Sequence, residues 1–286
     1  MKKLKTWLPL ALLTVLLLAG SILYAQEKEE AKKDVSTETS EQKKEMTVQE
    51  IVETANHTAY YQGMDGRSRV HMLITDSRGR EREREFSILR RDNSEKDKEQ
   101  KYYVYFHDPA DVRKMVFMVW KHIGSDDDRW LYLPALDLVK RIAASDKRTS
   151  FVGSDFYYED VSGRSIDLDE HSLASEDEKH YIIKNVPKNP DNVEFSSYKV
   201  WIDKKTFMPM KGEYLDKNGK KYRVMEVLEM DEINGYPTVT KSRMSDIDGG
   251  SNTVMTFKEV EYDLGLPENV FTERYLRRAP RRWLRN

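Results

Sequence analysis

A serine between a glycine and an aspartate, Gly153-Ser154-Asp155, is the first arrangement in this chain that could do chemistry. A serine nucleophile on a hydrolase elbow needs a glycine two residues before the serine and a strand–turn–helix around it. Residue 152 is a valine, and no such context surrounds the serine. We therefore interpret the stretch as a tight turn in which Gly153 takes a positive φ and Asp155 caps local backbone amides.

The acidic and histidine residues give no stronger chemical signal. Asp126-Asp127-Asp128 lacks the spread of oxygen ligands and the later glutamate of a calcium loop. The six histidines show no metal-ligand pairing. Asp155, Glu159 and Asp160 form a carboxylate group that we expect to serve as turn caps or as ion-pair partners of nearby cations, namely Arg141, Lys147 and Arg148. No phosphate loop or dinucleotide fingerprint is present, and the sequence predicts no catalytic set, metal or cofactor.

Composition narrows the classes of function further. The chain has 286 residues, a net charge of -2 and 34% charged residues, so it has no global basic field for nucleic acid. It contains no cysteine, which excludes disulfides and thiolate chemistry.

The two ends of the chain predict export and a surface contact. Residues 1–25 have the basic start and apolar run of a secretory signal peptide, with an uncleaved inner-membrane anchor over residues 8–24 as the alternative. Residues 26–46 are charged and polar and predict a disordered linker. Residues 277–286 form a basic tail containing Trp283, for which we predict transient membrane contact, a disordered solubilising end being the alternative.

Between the ends, the pattern predicts one domain over residues 47–276. Thr47-Val48-Gln49-Glu50 has the form of a capping box, so a helix should begin at Val48 and end near Tyr61. Short strands separated by regular turns follow, without a βαβ rhythm. The fold class is therefore mainly β (α+β): an antiparallel barrel or strongly curved sheet with the N-terminal helix and at most one short helix or lid after Asp160.

Two strands are apolar on both faces. Met115 to Trp120 is unbroken, and in the next strand Trp130 and Tyr132 point one way while Leu131 and Leu133 point the other. We expect the helix at Val48–Tyr60 to cover one face and the other face to line a cavity. The sequence does not decide which.

Methionine is concentrated in the same region. Ten of the 12 methionines lie between Met64 and Met255, mostly on predicted strands, although strands usually prefer β-branched residues. Methionine is over-used where a surface must fit varied apolar ligands, but ordinary core filling explains the same pattern. The residues that we predict to line a cavity are Met115, Phe117, Met118, Trp120, Trp130, Tyr132, Phe151, Phe156, Met210 and Met225.

Several joined motifs resemble those of the outer-membrane lipoprotein-sorting-like family, a branch of the LolA/LolB superfamily. The residues that carry the resemblance are Trp130, Tyr132, Pro134, Arg141, Phe151, Gly153, Ser154, Asp155, Phe156, Glu159 and Asp160. The resemblance spans residues 47–276. It implies a half-open barrel with lid helices over an apolar cavity, a periplasmic location, lipid or lipoprotein ligands, and partnership with a transporter of the resistance-nodulation-division type.

The function that we predict is a non-enzymatic periplasmic carrier of lipid or lipoprotein acyl chains. The alternative is an accessory or interaction module of such a transporter, with an interior filled by its own side chains. The sequence leaves the ligand and the direction of transfer open.

Overall fold

The N-terminal helix has the boundaries that its capping pattern predicts. The structure is a computed structural model that describes residues 45–93 and 97–284, so the predicted signal peptide and most of the predicted linker lie outside the described residues. Helix α1 spans Val48–Tyr60, and the Thr47 and Glu50 side chains form a reciprocal capping box. Its buried stripe includes Ile51, Val52 and Ala55. The predicted helix is thus confirmed.

Strands dominate the rest of the described chain. The first six are β1 Asp65–Thr75, β2 Glu81–Asp92, β3 Gln100–Asp108, β4 Val116–Lys121, β5 Asp128–Leu133 and β6 Leu138–Arg141. The next seven are β7 Asp169–Glu176, β8 His180–Pro187, β9 Phe195–Asp203, β10 Pro209–Asp216, β11 Lys221–Ile233, β12 Tyr236–Asp246 and β13 Ser251–Tyr262. The remaining helices are α2 Tyr158–Ser162, α3 Arg274–Arg277 and α4 Arg281–Leu284.

These strands form one open, curved antiparallel sheet with the order β6-β5-β4-β3-β2-β1-β13-β12-β11-β10-β9-β8-β7. Each half is a simple meander, and the halves join through the β1–β13 pair at the centre. The fold class predicted from the sequence is confirmed.

The connection between β6 and β7 has to join the two opposite edges of this sheet. It does so as a strap, which we define as residues 142–168 and which contains α2. Phe151 of the strap packs against rings from β2, β3 and β4, while Asp155 is hydrogen-bonded to Thr253 of β13. The strap therefore crosses one face of the sheet, which we call the inner face.

Helix α1 lies on the same inner face. The carbonyl oxygen of Tyr60 accepts hydrogen bonds from Arg90 at 3.1 Å and from Gln100 at 2.7 Å. The Gln62 side chain reaches across to the carbonyl of Pro237 on β12 at 2.7 Å. Because these bonds hold the end of α1 over strands of both halves, the helix and the strap together cover the concave side.

The outer face is covered by a different segment from the one that the sequence predicted. Residues 264–284, which we call the C-terminal cover, pack Leu266, Phe271 and Leu276 onto β3, β4 and β5. The Trp120 indole donates to the carbonyl of Phe271 at 2.7 Å. The expectation that α1 covers one face and leaves the other face of β4 open is wrong, because both faces of β4 are closed by packed side chains.

The basic tail is partly folded into this cover. Leu284 of α4 is buried, and Trp283 packs against the outer cluster. Arg277 forms an ion pair with Asp137 at 2.9 Å. The tail is therefore not a wholly disordered end, although its contact with a membrane stays a prediction. Among the described residues, no helix has the length and apolar character that a membrane span requires.

Candidate functional site

A cavity of about 350 Å³ lies on the inner face of the sheet. The end of α1, the strap and strands from both halves enclose it. Its apolar wall is formed by Phe86, Ile88, Phe151, Phe156, Val161, Met208, Met225, Val227, Val239, Met244, Met255, Phe257 and Val260. A concave space with mostly apolar walls and a few polar groups is the usual form of a small-ligand site.

Four methionines contribute to this wall. They are Met208, Met225, Met244 and Met255, and they come from the strands and turns of the C-terminal half. An unbranched, polarizable side chain adapts to ligands of different shape at little cost. The methionine enrichment seen in the sequence thus coincides, at these four positions, with the cavity.

Aromatic packing closes the cavity toward β4. The ring of Phe151 lies 5.5 Å from that of Phe117 and 5.8 Å from that of Phe106. Tyr158 of α2 lies 5.0 Å from Phe117. Phe117 and Phe151 are both fully buried. The strap fills the inner face here, so the open space is displaced toward β1, β13 and β12.

On the opposite side, buried ion pairs hold the strap to the C-terminal half. Arg148 bonds to Glu159 within the strap at 2.7 Å and to Glu194, just before β9, at 2.6 Å. Arg164 bonds to Asp169 at the start of β7 at 2.8 Å. In this network Arg148 and Glu159 are almost wholly shielded from solvent. Removing one partner of such a buried ion pair strongly destabilises the folded protein.

The two glutamates of this network, Glu159 and Glu194, are held ionised. Burial opposes ionisation of Glu159, but the guanidinium groups of Arg148 and Arg164 outweigh it and lower its pKa. Burial likewise works against ionisation of Glu194, and the bonds and charge of Arg148 nevertheless bring its pKa to about 2. The pairs that Arg148 forms with these two glutamates therefore stay charged at neutral pH.

A second, smaller set of polar groups lies at the cavity wall itself. Asp160 of α2 forms a buried ion pair with Arg223 of β11 and accepts from the backbone amide of Tyr157 at 2.6 Å. Tyr60 of α1 and Tyr214 of β10 also line the cavity. The apolar space therefore has one polar end.

The structure brings only part of the predicted site together. Phe151, Phe156 and Met225 line the cavity. Phe117 and Met115 belong to the inner cluster, beyond the cavity wall. Met210 is half-buried on β10 and is not among the lining residues. Met118, Trp120, Trp130 and Tyr132 face outward beneath the C-terminal cover, so their assignment to the cavity is wrong.

The family-motif residues at the turn of the strap form hydrogen bonds that stabilise the fold. Gly153 has a φ of +81°, as the turn interpretation predicted. The Ser154 hydroxyl donates to the carbonyl of Phe151 at 2.7 Å, which uses the hydroxyl in the turn. Asp155 accepts hydrogen bonds from Ser251 and Thr253 on β13 rather than from the local amides that we expected.

The rest of the motif lies near the edge of the sheet. Arg141 of β6 lies over the Trp130 ring at 5.5 Å and pairs with Asp128. Pro134 begins the 3-10 turn Pro134–Leu136. Tyr132 donates to Asp137 at 3.2 Å. These residues shape the outer face and the turn that leads into the edge strand.

Sequence reasoning missed most of the C-terminal wall. Met244 on β12 lies between Arg243 and Ser245, whereas Met255 on β13 lies between Val254 and Thr256. An apolar residue between polar ones is the signal of a strand with one buried face. That signal was present at Met244 but was weaker at Met255.

Comparison with known proteins agrees with this architecture. A family model whose description reads "Uncharacterized protein" matches residues 98–278. A DUF1329 family protein from Desulfovibrio piger is 28% identical, with a TM-score of 0.73 over 79% of this chain and 95% of that one. A domain described as an outer-membrane lipoprotein-sorting protein, from Vibrio parahaemolyticus, is 25% identical, with a TM-score of 0.72 over 80% and 97% of the two chains. The chain belongs to a LolA-like family.

A LolA superfamily protein from Nitrosomonas europaea shares the fold of this LolA-like chain. The two are 18% identical, with a TM-score of 0.63 over 81% of this chain and all of the other. The two proteins therefore share the curved-sheet fold. No curated protein matches the sequence.

Proposed function

We propose that this LolA-like protein is a non-enzymatic carrier that holds a lipid or lipoprotein acyl chain in the inner-face cavity. The observation that supports the proposal most directly is the cavity itself, about 350 Å³ of space with thirteen apolar side chains in its wall. A filled interior, as the interaction-module alternative requires, would leave no such space. The size lies at the small end of the usual range for ligand sites, about 300–1,000 Å³, which favours one chain over several.

Reversible burial supplies the mechanism. Each CH₂ group transferred from water contributes about 0.8 kcal/mol, so eight groups contribute about 6 kcal/mol. The methionines of the wall can change rotamer as the chain enters and leaves. No bond needs to be made or broken, and the reactive candidate Ser154 has its hydroxyl bonded to backbone carbonyls.

The location and partners belong to the same proposal. The sequence of residues 1–25 supports export to the periplasm, where a shuttle between membranes would work. The arginines of residues 277–286 support transient contact with an anionic surface during loading or delivery. The family resemblance supports a transporter of the resistance-nodulation-division type as the partner.

Lipid retained by freshly purified protein tests the proposal. Native mass spectrometry of the wild type should show one bound lipid, and extraction should identify it. Met225→Trp fills the cavity and should remove the bound lipid, whereas Met64→Trp at an exposed position outside the wall should retain it. An empty wild-type protein that also fails to take up added acyl lipids would contradict the carrier function.

A further inference from the structure

We propose that the cavity selects an uncharged amphiphile, a single acyl chain bearing a neutral ester, amide or hydroxyl group, over fatty-acid anions and phospholipids. This inference rests on the proposed carrier function and names the ligand class of the same site. The observations behind it are the pairing of the charged groups in the cavity wall and the presence there of two phenol hydroxyls without protein partners.

Among the described residues, every charged side chain in the wall has a partner of opposite charge. Arg67 pairs with Glu261, Arg90 pairs with Asp92 at 2.9 Å, and Asp160 pairs with Arg223. The strap network behind this wall is also balanced. Its cations are Lys147, Arg148, Arg164 and Arg223, and its anions are Glu159, Asp160, Asp169 and Glu194.

An anionic headgroup in this cavity would therefore find no unpaired cation. Moving a carboxylate or phosphate out of water is costly unless a new charge partner or several hydrogen bonds replace its hydration. If the anionic headgroup bound Arg223 in place of Asp160, or Arg90 in place of Asp92, it would leave that aspartate carboxylate buried and unpaired. The wall consequently disfavours an anion, whatever the length of its chain.

The hydroxyls of Tyr60 and Tyr214 are the complementary feature. Both tyrosines line the cavity near Asp160, and within the described residues neither hydroxyl makes a hydrogen bond. By contrast, the other tyrosines of the wall are engaged. The Tyr102 hydroxyl donates to Gln100 at 2.8 Å, and that of Tyr262 lies 2.9 Å from the Thr238 hydroxyl.

Both phenols are protonated at neutral pH and so remain donors. Burial, followed by the carboxylate of Asp160, raises the pKa of Tyr214 to about 12. The same two causes, in the same order, raise the pKa of Tyr60 as well. A phenol O–H donates to the carbonyl of an ester or amide, or to an alcohol oxygen, without introducing charge.

The arrangement gives the ligand an orientation. Its neutral polar group lies at the Tyr60–Tyr214 end, beside the strap, and its chain runs along the methionine wall formed by Met225, Met244 and Met255. A neutral hydrogen bond contributes modestly to net binding, but a neutral group avoids the larger cost of burying a charge. Selection is therefore mainly rejection of anions.

Three probes with the same sixteen-carbon chain test the inference: 1-monopalmitoylglycerol, palmitate and palmitoyl-lysophosphatidylglycerol. Delipidated full-length protein should bind the first at least about tenfold more tightly than the other two, as expected when the alternative is an unpaired buried charge. Tyr214→Phe and Tyr60→Phe should each weaken binding of monopalmitoylglycerol about three- to tenfold. Tyr103→Phe, outside the wall, removes a hydroxyl that donates to the carbonyl of Tyr275 in the outer cluster, and it should leave binding unchanged.

The outcomes separate this inference from the carrier function. Binding of all three probes with palmitate or the lysophospholipid equal to or tighter than monopalmitoylglycerol overturns the inference and leaves the carrier function standing. Unchanged affinity in both tyrosine variants, or the same loss in Tyr103→Phe, overturns the role of the two hydroxyls. Failure of all three probes to bind overturns the carrier function together with the inference.

Discussion

Gly163, the residue after α2, lies directly against the aromatic ring of Tyr60. A β-carbon at position 163 would come within 2.6 Å of the Cζ atom of Tyr60. The glycine also has a φ of +77° and a ψ of 150°, a conformation that is essentially restricted to glycine. The missing side chain thus lets the strap touch the end of α1, where both contribute to the cavity wall.

Gly163→Ala should cost about 3 kcal/mol of unfolding free energy, from backbone strain of about 1–3 kcal/mol and overpacking against Tyr60. It should also weaken lipid binding, since Tyr60 must move. Gly79→Ala, at a glycine with φ of +75° and nothing within 4 Å of the added carbon, should cost only about 1 kcal/mol. Urea denaturation measures both.

A double-mutant cycle with Tyr60→Leu isolates the ring contact in this pair. If the overpacking argument is right, Gly163→Ala costs less in the Tyr60→Leu background than in the wild type. Strictly additive losses would show that the penalty is entirely backbone strain.

Arg148→Met should destabilise the domain by about 3–5 kcal/mol, because it leaves the carboxylate of Glu159 without its closest partner in a buried site. Adding Glu159→Gln removes the carboxylate that has lost its closest partner and should recover part of the loss. Thermal melts of the two single variants and the double variant decide the point. A double variant as unstable as the sum of both singles would contradict a coupled pair.

Acid should weaken the attachment of the strap through Glu194. The folded-state pKa of about 2 lies below the ordinary value of 4.5, so the stabilisation is fully present above pH 4.5 and is lost as the pH falls toward 2. Since the side chain is 37% exposed, we discount the effect to about 1–2 kcal/mol. Glu194→Gln should flatten the stability profile between pH 4.5 and 2, whereas Glu273→Gln, outside the network, should leave the slope unchanged.

The C-terminal cover should be essential to folding. Leu276→Ala removes a buried side chain from the outer cluster and should cost about 2–5 kcal/mol, while Leu136→Ala at an exposed position should change stability by less than about 0.5 kcal/mol. Removing residues 277–286 should likewise lower the melting temperature, because Trp283 and Leu284 are lost from the cover. A truncated chain as stable as the full one would contradict this packing.

The sequence was a good guide where local rules act alone. The capping box at Thr47 and Glu50 correctly placed the start of α1 at Val48, and alternation between Trp130 and Leu131 correctly divided the two faces of β5. The sequence contains no indication of β7, since Asp169–Glu176 has Leu173 and Ala174 as its only apolar residues. An edge strand with neighbours on one side and water on most of its surface needs little apolar character, so periodicity cannot reveal it.

The cavity was harder to predict because its position depends on what covers each face. Phe117 and Met118 look equivalent in sequence, yet one packs beneath Phe151 of the strap and the other beneath the C-terminal cover. Both covering segments are far from β4 along the chain, and neither has a strong helical pattern. Local sequence therefore identifies the apolar faces but not which of them keeps empty space.

The pairing of the first and last strands has a consequence for how the chain reaches its native state. All other strand pairs join sequence neighbours, whereas Arg67 of β1 pairs with Glu261 of β13 across almost the whole domain. Contacts between residues that are distant in sequence form slowly, because closing a long loop costs conformational entropy before the contacts can stabilise the chain. We therefore expect the two meanders to assemble first and the β1–β13 seam to close last. During synthesis β1 can pair with β2 on one side, but its other edge stays open until synthesis has passed residue 262, the end of β13.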